Sequence, residues 1–122
     1  MARADKPIKR DPFKRGDTVT FAYVFTQPYV GYSWTGVTID CALTAVDAPT
    51  NNTGAAAVRT AQSLTVDVDN TATYLFQLTA AESNALVPGT TYKDECQLKE
   101  SSGTYVTTPI TGETKIVQDY II

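Results

Sequence analysis

The stretch Val37-Thr38-Ile39-Asp40-Cys41-Ala42-Leu43-Thr44-Ala45 decides the fold class. Val37, Ile39, Cys41, Leu43 and Ala45 alternate with Thr38, Asp40, Ala42 and Thr44. A period of two puts one set of side chains on a core face and the other on an outer face, which is a half-buried β-strand. The same period recurs on both sides. Val19, Phe21, Tyr23 and Phe25 alternate with Thr18, Thr20, Ala22 and Val24, and a strand over 57–68 carries Leu64, Val66 and Val68 on one face. Ala72, Tyr74, Phe76 and Leu78 form the next inward set, followed by Tyr92, Cys96 and Leu98. Strands over 105–110 and 114–121 are expected to pair across Thr111-Gly112. Between them, Thr79 with Glu82 three residues on is a capping-box pair and predicts one or two helical turns over 79–86, stopped by Pro88-Gly89. Seven short strands with turn residues between them predict an all-β, seven-stranded antiparallel sandwich with one short helical turn.

The chain has 122 residues, 43% of them hydrophobic, enough for one domain to bury a core without a metal or disulfide staple. Its charge is divided. Residues 1–15 hold six basic and two acidic side chains, net +4; residues 16–122 hold four basic and eleven acidic, net −7; the whole is −3. Two prolines and eight charges among the first fifteen residues predict an extended N-terminal arm over 1–15 ahead of a sandwich domain over 16–122. A basic arm on an acidic body points to an acidic partner, such as the body of a neighbouring copy. Arg3, Lys6, Lys9 and Arg10 are the expected charged contacts of that arm, and Ile8 and Phe13 its apolar pegs.

Catalysis is not expected. The chain has no His, no GxSxG, no P-loop and no glycine-rich dinucleotide turn, so neither an enzyme nor a cofactor site is predicted. Two Cys cannot build a four-ligand zinc site, and the carboxylates are expected on solvent-facing strand positions. Cys41 and Cys96 fall on inward positions. With no apolar segment after the charged opening, no secretion leader is expected, and the two are expected to be reduced thiols in the core. Arg15-Gly16-Asp17 reads as a turn before the first strand, Asn51-Asn52-Thr53 as a polar turn, and Asp67, Asp69 and Asn70 as a turn between strands. No apolar run is long enough for a membrane helix. The acidic body argues against nucleic acid as partner.

The segment Gln27–Gly36, QPYVGYSWTG, concentrates Tyr29, Tyr32 and Trp34 in ten residues. Large aromatic rings in a loop either fold back over a sheet end or meet a partner, and Tyr and Trp dominate interface anchors. All three are candidate partner-binding residues; as a sugar platform they would instead make the chain an adhesion or carbohydrate-binding module.

The order of segments carries a resemblance. Phe13-Lys-Arg-Gly-Asp-Thr18 opens a strand, Leu86, Gly89, Tyr92 and Asp94 stand in a middle motif, and Thr108-Pro109 with Gly112 closes the chain ahead of a terminal Val117–Ile121 strand. This resembles a diverse group of small tailed-phage virion proteins with an immunoglobulin-like sandwich, to which the amino-terminal domains of baseplate upper proteins are similar. The spacing of the middle motif departs from the group's L-x-x-G-x-Y-x-x-D. The resemblance implies an immunoglobulin-like fold and a structural or docking role in a phage tail, baseplate, collar or head surface. It implies other virion proteins and further copies of the chain as partners, residence in the virion after synthesis in the host cytoplasm, and no catalytic residue. The basic arm lies outside the shared pattern.

Overall fold

The structure is a computed structural model that describes residues 8–46, 55–105 and 110–117. Expectations for Arg3, Lys6, the Asn51–Thr53 turn, Thr108-Pro109 and residues 118–121 lie outside the described residues.

The chain is mostly β. Its elements in order are β1 (Ile8–Lys9), β2 (Phe13–Lys14), β3 (Thr20–Phe25), β4 (Thr38–Ala45), β5 (Ala57–Ser63), β6 (Thr65–Val66), β7 (Ala72–Gln77), α1 (Ala80–Asn84), β8 (Thr91–Lys99) and β9 (Ile110–Val117). One sheet has the order β1-β9-β8-β4-β5, with β2 also on β9; the other is β3-β7-β6. The inner faces meet in one core. Phe21 and Phe76 pair across β3 and β7 with ring centroids 5.8 Å apart, and Ile39, Leu43, Leu98 and Ile116 of the larger sheet are fully buried among the same cluster.

Three expectations are corrected. Among the described residues the strands number nine, and the larger sheet is mixed: β1 and β2 run parallel to β9, in register Ile8↔Gly112 and Phe13↔Ile116. The arm over 8–14 thus carries two short strands paired to its own domain; their alternation was too short to read. The strand expected over 57–68 is two strands in different sheets, because the chain crosses between sheets at Leu64. β6 is a two-residue rim strand, so Val66 is 42% exposed and Val68 wholly so. Finally, Thr111-Gly112 is no turn: β9 runs straight through it, and Gly112 is in a strand because its missing side chain makes room for others.

The turn at Ser101–Gly103 forms as expected, with Gly103 N–H donating to the Glu100 carbonyl at 2.8 Å. So does the helix start. The Thr79 side chain accepts from Glu82 N at 3.1 Å, and Glu82 Oε1 accepts from Thr79 N at 2.8 Å. Glu82 also holds Arg59 of β5 in a two-pronged pair at 2.8 and 2.9 Å, and the Arg59 guanidinium lies 5.3 Å from the centre of the Phe76 ring. The helix is thereby tied to the far edge of the larger sheet.

The hydrogen bonds from Arg59 hold the Glu82 carboxyl down from its ordinary 4.5 to about 2. A lowered folded pKa gives stability that is present above about 4.5 and is lost as pH falls toward about 2. For this partly exposed pair the contribution is on the order of 1 kcal/mol after solvent screening. Urea denaturation at pH 6 and pH 2.5 checks it: wild type is expected to be more stable than Glu82→Gln at pH 6, and the gap to narrow at pH 2.5. A gap that is constant with pH would dissociate Glu82 from the effect.

Candidate functional site

The site that orders the N-terminal segment is built around one carboxylate. Period two in β8 places Asp94 on the same inward face as Tyr92, Cys96 and Leu98, and the structure leaves it 0% exposed. Sequence reading put the carboxylates toward solvent, and Asp94 overturns this. A buried charge needs a cation and hydrogen bonds. Arg10 supplies both in a two-pronged pair: Nε donates to Oδ1 at 2.8 Å and Nη2 to Oδ2 at 2.9 Å. The Tyr23 hydroxyl donates to Oδ2 from the opposite sheet. The guanidinium lies 5.3 Å from the centre of the Phe21 ring and 5.6 Å from that of Tyr23.

Gly112 of β9 is the floor of this slot. A Cβ there would stand 2.5 Å from Arg10 Nε and 2.7 Å from Asp94 Oδ1, so any other residue would force the pair out of this placement. Arg10 N–H also donates to the Glu113 carbonyl at 3.0 Å. Burial pulls the Arg10 pKa down, but the bonds and charge of Asp94 more than offset it and raise it overall. Burial, and then the Asp94 charge, push the Tyr23 hydroxyl far up, so it stays a donor.

The expected contact residues are spread over the molecule. Ile8 and Lys9 form β1, Arg10 fills the slot, and Phe13 in β2 is half-buried and packs on the core. The arm over 8–14, expected to reach for a neighbour, therefore lies on its own body. In the aromatic loop, Tyr32 and Trp34 are taken into the domain's own core, and Tyr29 stays 65% exposed. The rings step edge to face, Tyr29–Tyr32 at 5.3 Å and Tyr32–Trp34 at 4.9 Å. Trp34 Nε1 donates to the Asn70 carbonyl at 2.9 Å, and Asn70 Nδ2 donates to Tyr32 O at 2.7 Å. Asn70 sits at φ 61 in the β6–β7 turn, where Asp67 Oδ1 accepts from Asp69 N and Thr71 N, both at 2.9 Å. Burial first, then the hydrogen bond to Glu100, push the Tyr32 hydroxyl up to about 12. The loop is a cap over one end of the core. It offers one exposed ring where a sugar platform was an alternative.

Arg15-Gly16-Asp17 is the expected turn: Asp17 N donates to the Lys14 carbonyl at 3.2 Å and Gly16 has φ +89°. Cys41 and Cys96 face each other on neighbouring strands of one sheet, both buried and unbonded. The adjacent Cys41 and burial push the Cys96 thiol up, away from the thiolate that nucleophilic chemistry needs. Among the described residues no three His, Cys, Asp or Glu side chains gather as a metal site, and no helix is long and apolar enough to cross a membrane. No family model, no curated protein and no solved structure matches the chain.

Two measurements follow. Arg10→Ala leaves Asp94 buried without its cation and is expected to cost about 3–5 kcal/mol; adding Asp94→Asn should restore part of that loss in urea denaturation. Strict additivity of the two changes would show that they are not coupled. Trp34→Ala, which empties the cap, is expected to lower the stability of the isolated chain by about 3–5 kcal/mol in the same assay; an unchanged midpoint would return Trp34 to the list of partner contacts.

Proposed function

We propose that the chain is a structural docking subunit of a tailed-phage particle, in its tail, baseplate, collar or head surface, that joins neighbouring virion proteins. The observation that carries the reading is the outer face of the smaller sheet. Thr20, Ala22 and Val24 of β3 lie beside Gln77, Leu75 and Thr73 of β7, with no charge among them. Val24 is 63% and Leu75 58% exposed, although residues 16–122 carry a net −7. Depletion of charge around exposed aliphatic side chains is the composition of the centre of a protein interface. Among the described residues β3 is also an edge, bonded along one side to β7 over six residues. Its occupant in this reading is a neighbouring virion subunit with a flat apolar face, since an acidic partner gains nothing from an uncharged patch.

The sequence resemblance supplies the phage setting, and we read the architecture as immunoglobulin-like. Two features support that. A β3-β7-β6 sheet against β9-β8-β4-β5 follows the strand order of those domains with an added edge strand. Tyr92, at the start of β8, accepts a hydrogen bond from Val87 N at 3.1 Å, like the tyrosine that pins the same corner there.

Mass spectrometry of purified particles from cells making the tagged chain tests the function. The chain is expected at a copy number that matches a ring or shell symmetry. The double variant Val24→Asp/Leu75→Asp is expected to melt like wild type and to fall in occupancy by roughly tenfold or more, since losing a central anchor costs about 2 kcal/mol. Absence of the wild-type chain from particles overturns the reading; binding of the isolated domain to a glycan array would replace it with the carbohydrate-binding alternative.

A further inference from the structure

The arm is specified without being sealed in. Its backbone is joined to the body by two strands of two residues each and by the bond from Arg10 N to the Glu113 carbonyl. Open grooves flank it. One of about 300 Å³ runs between Arg10–Phe13 and Thr18–Phe21 and reaches Thr114; another of about 380 Å³ lies between Arg10, Pro12 and Thr91, Glu113, Lys115. Thr114, 2% exposed under the first groove, has a hydroxyl oxygen with no hydrogen-bond partner among the described residues. A segment that belonged permanently to this core would close these gaps and satisfy that oxygen.

The slot, in contrast, is demanding. Asp94 cannot be left bare, and Gly112 leaves room for a planar guanidinium lying flat against it. The bridges on either side fix the spacing. From Ile8 to Phe13 the arm advances five residues while β9 advances four, from Gly112 to Ile116, and the extra residue is absorbed beside Pro12, which has no N–H to pair. A segment that replaces the arm must carry Arg between two short extended pieces with that same offset.

The connection to the body can pivot. Ser83, 1% exposed, holds the chain from the body side: its Oγ accepts from Gly16 N at 2.9 Å and donates to the Asp17 carbonyl at 2.8 Å. Within that clamp stands Gly16 at φ +89°, a backbone region glycine enters without strain. Rotation there gives up the Gly16 N bond and the Lys14–Asp17 turn bonds and redirects residues 8–14, while the bond to the Asp17 carbonyl holds the start of the body in place.

We propose that the arm exchanges between copies of this chain, so that Arg10 of one copy enters the slot of its neighbour and pairs with the neighbour's Asp94. A second copy is the occupant because it alone is certain to bring the same arginine at the same offset. The net +4 of residues 1–15 is drawn to the net −7 of another copy's body. Exchange re-forms the pairing with β9 and the Arg10–Asp94 lock in the neighbour, so its cost is the hinge hydrogen bonds around Gly16 and the freedom lost on association. This deepens the docking reading and rests on it for one condition, that assembly brings copies close together.

Mixing two full-length variants tests it. Arg10→Ala keeps the carboxylate slot and brings no guanidinium; Asp94→Ala keeps the arm and has no slot for it. Neither lock can form within either variant, and one can form between them. Native mass spectrometry and light scattering are expected to show a one-to-one heterodimer that neither variant forms alone, with a melting transition above both. Two separate monomers at all concentrations and ratios overturn the proposal. Should either variant fail to fold, wild type is refolded from equal amounts of carbon-13-labelled and unlabelled chain. Intermolecular nuclear Overhauser contacts between Phe13 and Ile116 are then expected, and contacts confined to single chains overturn it. Both measurements use purified chain, so absence from particles bears on the docking reading and leaves exchange standing, and the reverse holds for monomers in the mixture.

Discussion

A carboxylate with no access to water sits between the two sheets, and much of the architecture answers to it. Asp94 is held by the side-on guanidinium of Arg10 and by the hydroxyl of Tyr23. The cation comes from the N-terminal segment, so that segment must run beside β9 and cannot pair with β3. The guanidinium lies flat over position 112, where glycine avoids the displacement that a Cβ would force on the pair. The third bond comes from the opposite sheet, so the cluster is also a cross-link between layers. Parallel pairing, the glycine inside a strand and the packing of Arg10 over Phe21 and Tyr23 are consequences of one buried charge.

The routing of the arm sets the condition of the sheet edges. With the arm on it, β9 is covered. β5 protects itself by a bulge: the register with β4 shifts between Ile39 and Cys41, Ala61 takes φ 53, and Asp40 Oδ1 accepts from Ala61 N at 2.8 Å. β6 is too short to template another strand. β3 has none of these devices, and its outer side chains are the uncharged ones. Among the described residues, the one edge left without such a device marks where pairing with another chain costs least, which is why the smaller sheet carries the functional reading.

Legibility followed the length of the pattern. β4 and β8 were readable because eight or nine residues of alternation leave little choice of face, and Thr79 with Glu82 marked the helix start because a capping box is a local arrangement. β1, β2 and β6 were not, since two residues have no period. Gly112 misled because glycine in a Thr-Gly pair signals a turn unless one knows that an arginine from a hundred residues away needs the space. The site was half readable. The same alternation that put Tyr92, Cys96 and Leu98 inside puts Asp94 there too; a general rule that carboxylates face water concealed it. Once Asp94 is allowed inside, an arginine partner must exist, and the basic N-terminal segment is the richest source. Which of its four lysines and arginines between 9 and 15 would serve is a matter of register that no local pattern contains. Tyr32 and Trp34 were ambiguous for a related reason: whether a loop ring turns inward depends on the Asn70 turn, which is distant in sequence.

The buried pair is best understood as a device for register. Exchanging water for a protein interior costs an ion pair about as much as the attraction returns, so Arg10 and Asp94 need not make the fold more stable than an apolar pair of the same volume. Removing either partner alone, however, strands a charge. The arm is therefore held in one alignment: a slide of two residues along β9 keeps the strand face but carries the guanidinium out of reach of Asp94. Four bridged residues of parallel strand would not fix that alignment by themselves. The same asymmetry governs what happens when the arm leaves. An apolar segment would tolerate water in its groove; Asp94 does not tolerate the loss of its cation. The slot is thus occupied in kind or the domain is destabilised, and recognition of the arm is strict while the packing around it stays loose.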